Sequence, residues 1–311
     1  MLLALQSMSA LDTGGSESAA LRPLLLSLFI IGGIIWLSVV GVLIAGVRKA
    51  PAEPGARSSE TAGRWVGMSV ALTLVILLVV LGLDYRAGRA LAPVPASGAL
   101  AVEITGHQWW WEVRYPNDTV SLALTTANEI HIPVDRDIEL TLKALDVIHS
   151  FWLPSLGGKR DLIPGHPRRT RLRAERPGIY DGMCAEYCGL QHAQMKLRVV
   201  AQSKDEFSRW YQQQLSEASQ APSPGKAVFL SAGCPMCHEV RGTPAGSRLG
   251  PDLTHFASRS TVATGALPRT DEMVRAWIVD PQRFKPGVRM PGSALPDSQL
   301  TPLTQWLQGL R

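Results

Sequence analysis

Two long uncharged stretches, 24–47 and 65–83, constrain what this chain can fold into more than any other feature of it. Both are rich in Leu, Ile and Val, and neither carries polar residues at a helical period. Each reaches the roughly 20 residues that an α-helix needs to cross a bilayer. A pair of buried core helices is the competing reading, but length and uniform apolarity together favour lipid. Arg48, Lys49, Arg57 and Arg64 lie between or beside the two stretches, whereas no basic residue precedes Arg22. The positive-inside rule then puts the connection in the cytoplasm and everything after Leu83 outside. The first stretch starts too far into the chain, and lacks the basic leader, for a cleavable signal peptide.

Beyond Leu83 the pattern changes to short alternating segments. Ile138, Leu140 and Leu142 interleave with Glu139, Thr141 and Lys143, and Arg169, Arg171 and Arg173 alternate with Thr170 and Leu172. Together with 101–115, 129–134, 178–183 and 195–201, these predict half-buried antiparallel strands separated by Pro and Gly, the mark of a β-sandwich or barrel. A polar helix is expected over 204–217, then a linker at Ala221-Pro-Ser-Pro-Gly225, then a short separate module over 226–311. As a flexible chain, a connection of about twenty residues spans roughly 25 Å, which predicts a tethered terminal module. The net charge of +5 is not gathered into the basic and aromatic stripe that nucleic acid needs, so no nucleic-acid partner is expected.

Only four cysteines occur, in two close pairs, a usage that points to metal or cofactor attachment and away from a disulfide framework. The first pair lies in Cys184-Ala-Glu-Tyr-Cys188-Gly-Leu-Gln-His192-Ala-Gln-Met195, where two thiols, an imidazole and a thioether share one loop between candidate strands. Soft thiolate and thioether ligands with imidazole select copper; structural zinc prefers four Cys or His ligands and has no use for Met195. A disulfide between Cys184 and Cys188, or a mononuclear zinc site, is the plainer alternative. A further imidazole has to come from elsewhere, and His149 in Asp146-Val-Ile-His149-Ser-Phe-Trp152, just past the 137–145 strand, is the best candidate. His107, His131 and His166 have no such context and are read as structural or surface residues.

These residues resemble the CuA loop of cytochrome c oxidase subunit II, together with its upstream Asp-Val-x-His-Ser-Phe segment. The resemblance runs from the two apolar stretches to about residue 203 and implies a cupredoxin-like fold for 95–203. Carried over residue by residue, it makes Cys184 and Cys188 bridges between two copper ions, with His149 and His192 as terminal ligands. Met195 is then a weak ligand and Glu186 gives its carbonyl, while the Glu186 side chain is implied at a magnesium site shared with the catalytic subunit. Gly106-His-Gln-Trp109-Trp110-Trp111 resembles the family's aromatic strand, with Trp110 where Tyr is common. There the first Trp is the electron entry point, which points to Trp109. The plainer reading is an aromatic core strand with Trp109, Trp111 and Val113 on one face. The family's Glu three residues before the Trp that opens the second helix is Ala62 here, and Glu60 is the nearest carboxylate for a proton entry.

Cys234-Pro-Met-Cys237-His238 is the CxxCH signature of covalent haem c attachment. Its surroundings resemble small class I cytochromes c over essentially all of 226–311. A sixth iron ligand is needed, and Met290 in Lys285-Pro-Gly-Val-Arg-Met290-Pro resembles the axial-Met loop. Met236, Met273 and His255 are the competitors: Met236 sits inside the attachment motif, Met273 on an expected helix, and His255 is the nearest rival.

The expected architecture is a multidomain membrane protein: a tail at 1–22, a two-helix transmembrane hairpin at 23–84, an all-β cupredoxin-like sandwich at 95–203, a helix and linker at 204–225, and a small all-α cytochrome c domain at 226–311. The combination resembles subunit II of the caa-type oxidases in a bacterial cytoplasmic membrane, with its soluble domains on the periplasmic side. That resemblance implies the catalytic subunit I and other membrane subunits as partners and a cytochrome c or upstream complex as donor. A CuA-containing nitric oxide reductase subunit, or a copper-delivery protein, is the alternative function. The haem module carries ten Lys or Arg against six Asp or Glu, so docking on the acidic residues Glu129, Asp135, Asp137, Glu139 and Asp146 is an expectation beside that of plain solvated surface.

Overall fold

The computed structural model describes residues 5–6, 8–48, 59–90, 98–119, 122–218 and 223–311. The side chains of Glu60 and Ala62, and the linker positions 221 and 222, lie outside the described residues.

The strand β1 (Leu5–Gln6) and the start of helix α1 (Ser16–Arg48) belong to one body with residues 95–311. β1 pairs in parallel with Ile179 and Tyr180. Gly14 N–H and the Ser18 hydroxyl both donate to the Ser155 carbonyl at 2.7 Å, and the Arg160 guanidinium donates to Glu17 at 2.5 Å. The expected tail at 1–22 is therefore partly a structural strap of the sandwich. The rest of α1, and helix α2 (Ser59–Ala90), present apolar side chains outward, Phe29, Trp36 and Leu78 among them. Both are long and apolar enough to cross a membrane.

The sandwich has two sheets. The first orders β4 (Leu124–Ala127), β3 (Trp110–Tyr115), β2 (Leu100–His107), β6 (Ile138–Ala144) and β9 (Arg168–Leu172). The second orders β5 (Glu129–Pro133), β11 (Lys196–Gln202), β10 (Gly178–Cys184), β7 (His149–Trp152) and β8 (Arg160–Leu162). Alternation does what period-two patterning requires: Val102, Ile104, Ile138, Leu140 and Leu142 from one sheet meet Ile130, Ile132, Tyr180, Leu197 and Val199 from the other, all buried.

Three expectations change in detail. The segment 101–115 is not one strand but the β2–β3 hairpin, which turns at Gln108 and Trp109 with His107 opposite Trp110. Trp109 therefore leaves the strand alternation: Trp111 and Val113 are buried, and Trp109 sits in the turn. His149 does not trail the 137–145 strand; it opens β7 in the opposite sheet.

Helix α3 (Lys204–Leu215) starts in a capping box between Ser203 and Glu206 and lays Trp210 on Tyr115 (5.5 Å) and flat on His131 (4.1 Å). Most of the expected flexible connection is thus packed helix. In the terminal module, α4 (Pro224–Ser231) crosses α7 (Asp297–Gly309), with Gly225 against the Pro302 carbonyl and Phe229 5.0 Å from Trp306. A Cβ has no room at Gly225, so the crossing is close. α5 (Asp271–Val279) and α6 (Pro281–Phe284) complete the helices, joined by one small hairpin, β12 (Thr261–Val262) with β13 (Leu267–Pro268).

The two soluble modules touch directly. Ser260 N–H and hydroxyl donate to Glu129 at 2.8 and 2.5 Å, Arg198 donates to Ser260 at 2.7 Å, and Arg241 donates to the Leu215 carbonyl at 3.2 Å. Most of the acidic residues expected to receive the haem module are answered within the sandwich. Glu139, Asp137 and Asp135 pair with Arg169, Arg171 and Arg173 of β9 and its end, and Asp146 turns to His149. Of the five acidic residues, Glu129 alone hydrogen-bonds to the haem module among the described residues.

Candidate metal centre

β10 ends at Cys184, and the loop back to β11 folds over the end of β7, pinned by Ala185 N–H to the Ser150 carbonyl and Cys184 N–H to the Met195 carbonyl, both 2.9 Å. This brings the sulfur, imidazole and carbonyl donors of distant residues together. Cys184 Sγ lies 3.8 Å from Cys188 Sγ, 3.9 Å from His149 Nδ1 and 3.2 Å from the Glu186 carbonyl. Cys188 Sγ lies 3.7 Å from His192 Nδ1 and 3.9 Å from Met195 Sδ. The two sulfurs stand apart by more than a disulfide bond and face the same side as the imidazoles. Metal–donor bonds of about 2.0–2.3 Å at near-tetrahedral angles put neighbouring donors roughly 3.3–3.8 Å apart, close to the spacings here. With two thiols between two imidazoles and two weaker donors, the donor set fits a pair of soft metal ions better than one.

The supporting contacts orient these donors. His149 is fully buried, and its Nε2–H donates to Asp146 at 2.9 Å, which leaves Nδ1 facing the thiols. Burial opposes the carboxylate charge of Asp146, yet the His149 hydrogen bond and the Gln108 and Val147 N–H groups outweigh it and hold the carboxyl down at about 2. Burial likewise opposes a charged His149, and the bonds to Asp146 and Cys184 reverse it, so the net shift is upward. The sulfur–sulfur hydrogen bond with Cys188 and the bond to His149 outweigh burial and pull the Cys184 thiol below its ordinary range. Gln108 Nε2 and Trp109 Nε1 donate to the Cys188 carbonyl at 2.8 and 2.9 Å. Gly106 backs onto His149: a Cβ there would stand 2.8 Å from Cδ2. Sequence reasoning missed Gly106, Gln108 and the orienting role of Asp146, although the Asp-x-x-His spacing is a readable sign of the last.

The Glu186 side chain points away from the thiols and pairs with Lys159 at 3.0 Å. His107 stacks on Trp110 at 4.2 Å, and its burial pushes the imidazole down to about 4. His131 stacks on Trp210, and His166 is exposed.

In the terminal module, Gly233 (φ 83°) starts a tight turn in which Cys237 and His238 N–H groups donate back to the Cys234 carbonyl at 3.1 and 3.0 Å. Cys234, Cys237 and His238 thus share one turn. His238 Nδ1–H donates to the Pro251 carbonyl at 2.7 Å, leaving Nε2 for a metal, and a Cβ at Gly250 would stand 2.8 Å from its Cε1. These features fit covalent haem. The 285–290 loop is held by Gln282, whose side chain bonds Gly287 N–H and the Val288 and Met290 carbonyls at 2.8, 2.8 and 3.2 Å. Met236 is exposed, Met273 lies half-buried on α5, and His255 is buried with Nε2 donating to the Ser216 carbonyl at 3.0 Å.

A cupredoxin-like sandwich with this loop, a CxxCH helical module and two helices long and apolar enough to cross a membrane stand in one chain, a combination whose donor sets fit copper and haem c. Residues 117–203 match the family described as cytochrome c oxidase subunit II, periplasmic domain, and residues 222–311 match cytochrome c. The cytochrome c oxidase subunit 2 of Alkalihalophilus pseudofirmus is 32% identical over 305 residues, 94% of this chain and 86% of that one. That of Bacillus subtilis is 33% identical over 263 residues, 78% of this chain and 72% of that one. The solved periplasmic domain of subunit II of cytochrome oxidase from Bradyrhizobium japonicum is 31% identical, covering 39% of this chain and 96% of that chain, with a TM-score of 0.37. This chain belongs to the cytochrome c oxidase subunit 2 family.

Proposed function

We propose that this chain is the electron-accepting subunit of a haem–copper oxidase. It takes electrons at a haem c and passes them through a dinuclear copper centre to a separate catalytic subunit that reduces oxygen to water. The observation that carries this reading is the convergence of His149, Cys184, Cys188, His192, Met195 and the Glu186 carbonyl on one buried site beside a CxxCH module. Cys184, Cys188, His149, His192, Met195 and the Glu186 carbonyl would hold the coppers. Cys234 and Cys237 would anchor the haem, and His238 and Met290 would hold its iron. The bound groups supply one-electron redox chemistry.

What the protein adds is rigidity. Its ligands sit on strand ends and a loop fixed by backbone bonds, so little can move when the charge changes. Burial of both thiols, His149 and Met195 keeps water out. Asp146 fixes the tautomer of His149, and Trp109 touches the Cys188 carbonyl directly, which suits it to electron entry. The exposed Glu186 carboxylate is the group for a magnesium ion shared with the catalytic subunit. The basic residues around 48–64 put the connection between α1 and α2 on the cytoplasmic side of a bacterial inner membrane.

The test is spectroscopy and turnover of the purified complex. Haem c and a mixed-valence two-copper resonance should be present together, oxygen should be consumed, and Cys188→Ser should abolish the copper signal with haem c intact. Turnover of nitric oxide in place of oxygen would move the chain to a reductase, and labile copper without haem would make it a copper carrier.

A further inference from the structure

Lys285 is a buried ammonium, 1% exposed, with no carboxylate at ion-pair distance among the described residues. A charge taken out of water survives only where hydrogen bonds replace its hydration. An ammonium has three N–H donors, and here there are three acceptors: the carbonyls of Trp109 at 3.1 Å, Gln194 at 3.2 Å and Ala263 at 3.3 Å. They come from three separate segments: the β2–β3 turn, the stretch between His192 and Met195, and a left-handed turn of the haem module (φ 51°, 59° and 78° at Ala263, Thr264 and Gly265). The Trp109 carbonyl also accepts the Thr264 hydroxyl at 3.0 Å.

The residues after Lys285 continue the contact. The Pro286 carbonyl accepts Gln191 Nε2 at 2.7 Å. A Cβ at Gly287 would stand 3.0 Å from Leu190 and 3.7 Å from the Trp109 ring. Lys285 thus opens the loop that carries Met290 and closes on the loop that carries His192.

We infer that Lys285 is the positioning residue that seats the haem module on the copper loop, so that its three carbonyl bonds hold the Met290 loop against Gln191 and Trp109. This rests on the reading that electrons pass from haem c to copper within the chain. Lys285 is not one of the candidate ligands; it joins the two loops that carry them. Arginine would not replace it, because a planar five-donor fork does not match three carbonyls around one point.

Two experiments on the assembled, full-length complex test this. In the unmutated protein, acetylation by an amine-reactive reagent, followed by peptide mass spectrometry, should modify Lys285 at least about tenfold more slowly than the exposed Lys204, since burial removes the free amine from reach. Equal labelling would overturn the inference. In Lys285→Met, where length is kept and all three bonds are lost, transfer from rapidly reduced haem c to copper should slow by at least about tenfold, the shift in the docking equilibrium that loss of a single charge-assisted bond already produces. Copper and haem contents should stay at wild-type levels, and amide exchange in 190–196 and 261–265 should rise together. Wild-type transfer in Lys285→Met overturns the inference alone; absence of haem-to-copper transfer in the unmutated complex overturns the relay reading and this inference with it. If Lys285→Met does not assemble, the labelling result decides.

Discussion

Asp146 accepts the Nε2 proton of His149 at 2.9 Å, and by doing so commits the other ring nitrogen, Nδ1, to the side of Cys184. The same carboxylate accepts Gln108 N–H at 2.7 Å, which ties the imidazole to the β2–β3 turn as well as to its own strand. One acidic side chain therefore couples a copper-ligand candidate in one sheet to the hairpin of the other.

Asp146→Asn keeps the shape but weakens the acceptor. Loss of such an orienting partner typically lowers metal affinity by about 10–100-fold. Competition of the variant's copper against a chelator should show a fall of that size, with covalent haem unaffected.

Gly106→Ala should disturb the same imidazole by crowding. The added Cβ would stand 2.8 Å from His149 Cδ2, inside contact distance, so either the ring or the hairpin must move. Overpacking of this kind costs about 1–3 kcal/mol. Copper content should fall, and the copper resonance should broaden or shift, while the Trp210 environment reported by fluorescence stays as in the wild type.

His131 gives a prediction in pH. Burial against Trp210 pushes its imidazole below the ordinary range, although the Gln202 bond works the other way. On unfolding the ring recovers its usual value near 6.5 and takes up a proton. The unfolded chain binds more protons in that window, so stability is full above about 6.5 and falls as the pH drops toward the folded value. His131→Phe keeps the stack and removes the titration. Denaturant midpoints of wild type and variant, measured at a series of pH values, should diverge as the pH falls below about 6.5 and keep a constant difference above it.

Severing the chain between Ala218 and Ser223 separates a tether from a seat. The haem module is held by the Lys285, Ser260–Glu129 and Arg241–Leu215 contacts as well as by the chain. After cleavage it should stay with the complex through gel filtration, and haem-to-copper transfer should remain independent of protein concentration. Release of the module would show that the covalent connection alone holds it.

The candidate metal site is legible in the sequence because most of its donors lie in one loop, and the spacing from Cys184 to Met195 carries the chemistry without a fold. His149 could be picked out by its sequence context, but its strand could not. The 137–149 segment contains no Gly or Pro to mark where the chain leaves one sheet for the other. The 101–115 segment was misread for a similar reason: a two-residue turn at Gln108 and Trp109 has none of the Gly or Asn that hairpin turns usually advertise, so alternation ran straight through it. The connection over 204–217 has helical composition, yet only the apolar pair Phe207 and Trp210 shows that it clamps the sandwich. Lys285 had no signal at all. A lysine before Pro-Gly reads as solvated loop, and its burial depends on carbonyls from positions far away in the chain.

Trp109 is held from two sides by the terminal module. Its carbonyl is taken by Lys285 and Thr264, and its ring is met by the backbone of Gly287. A shuttle protein arriving from outside finds that doorstep already occupied by a resident. Anything that is to reach Trp109 from outside has first to lift the 285–287 segment, so that side of the sandwich is guarded by the chain's own terminal module.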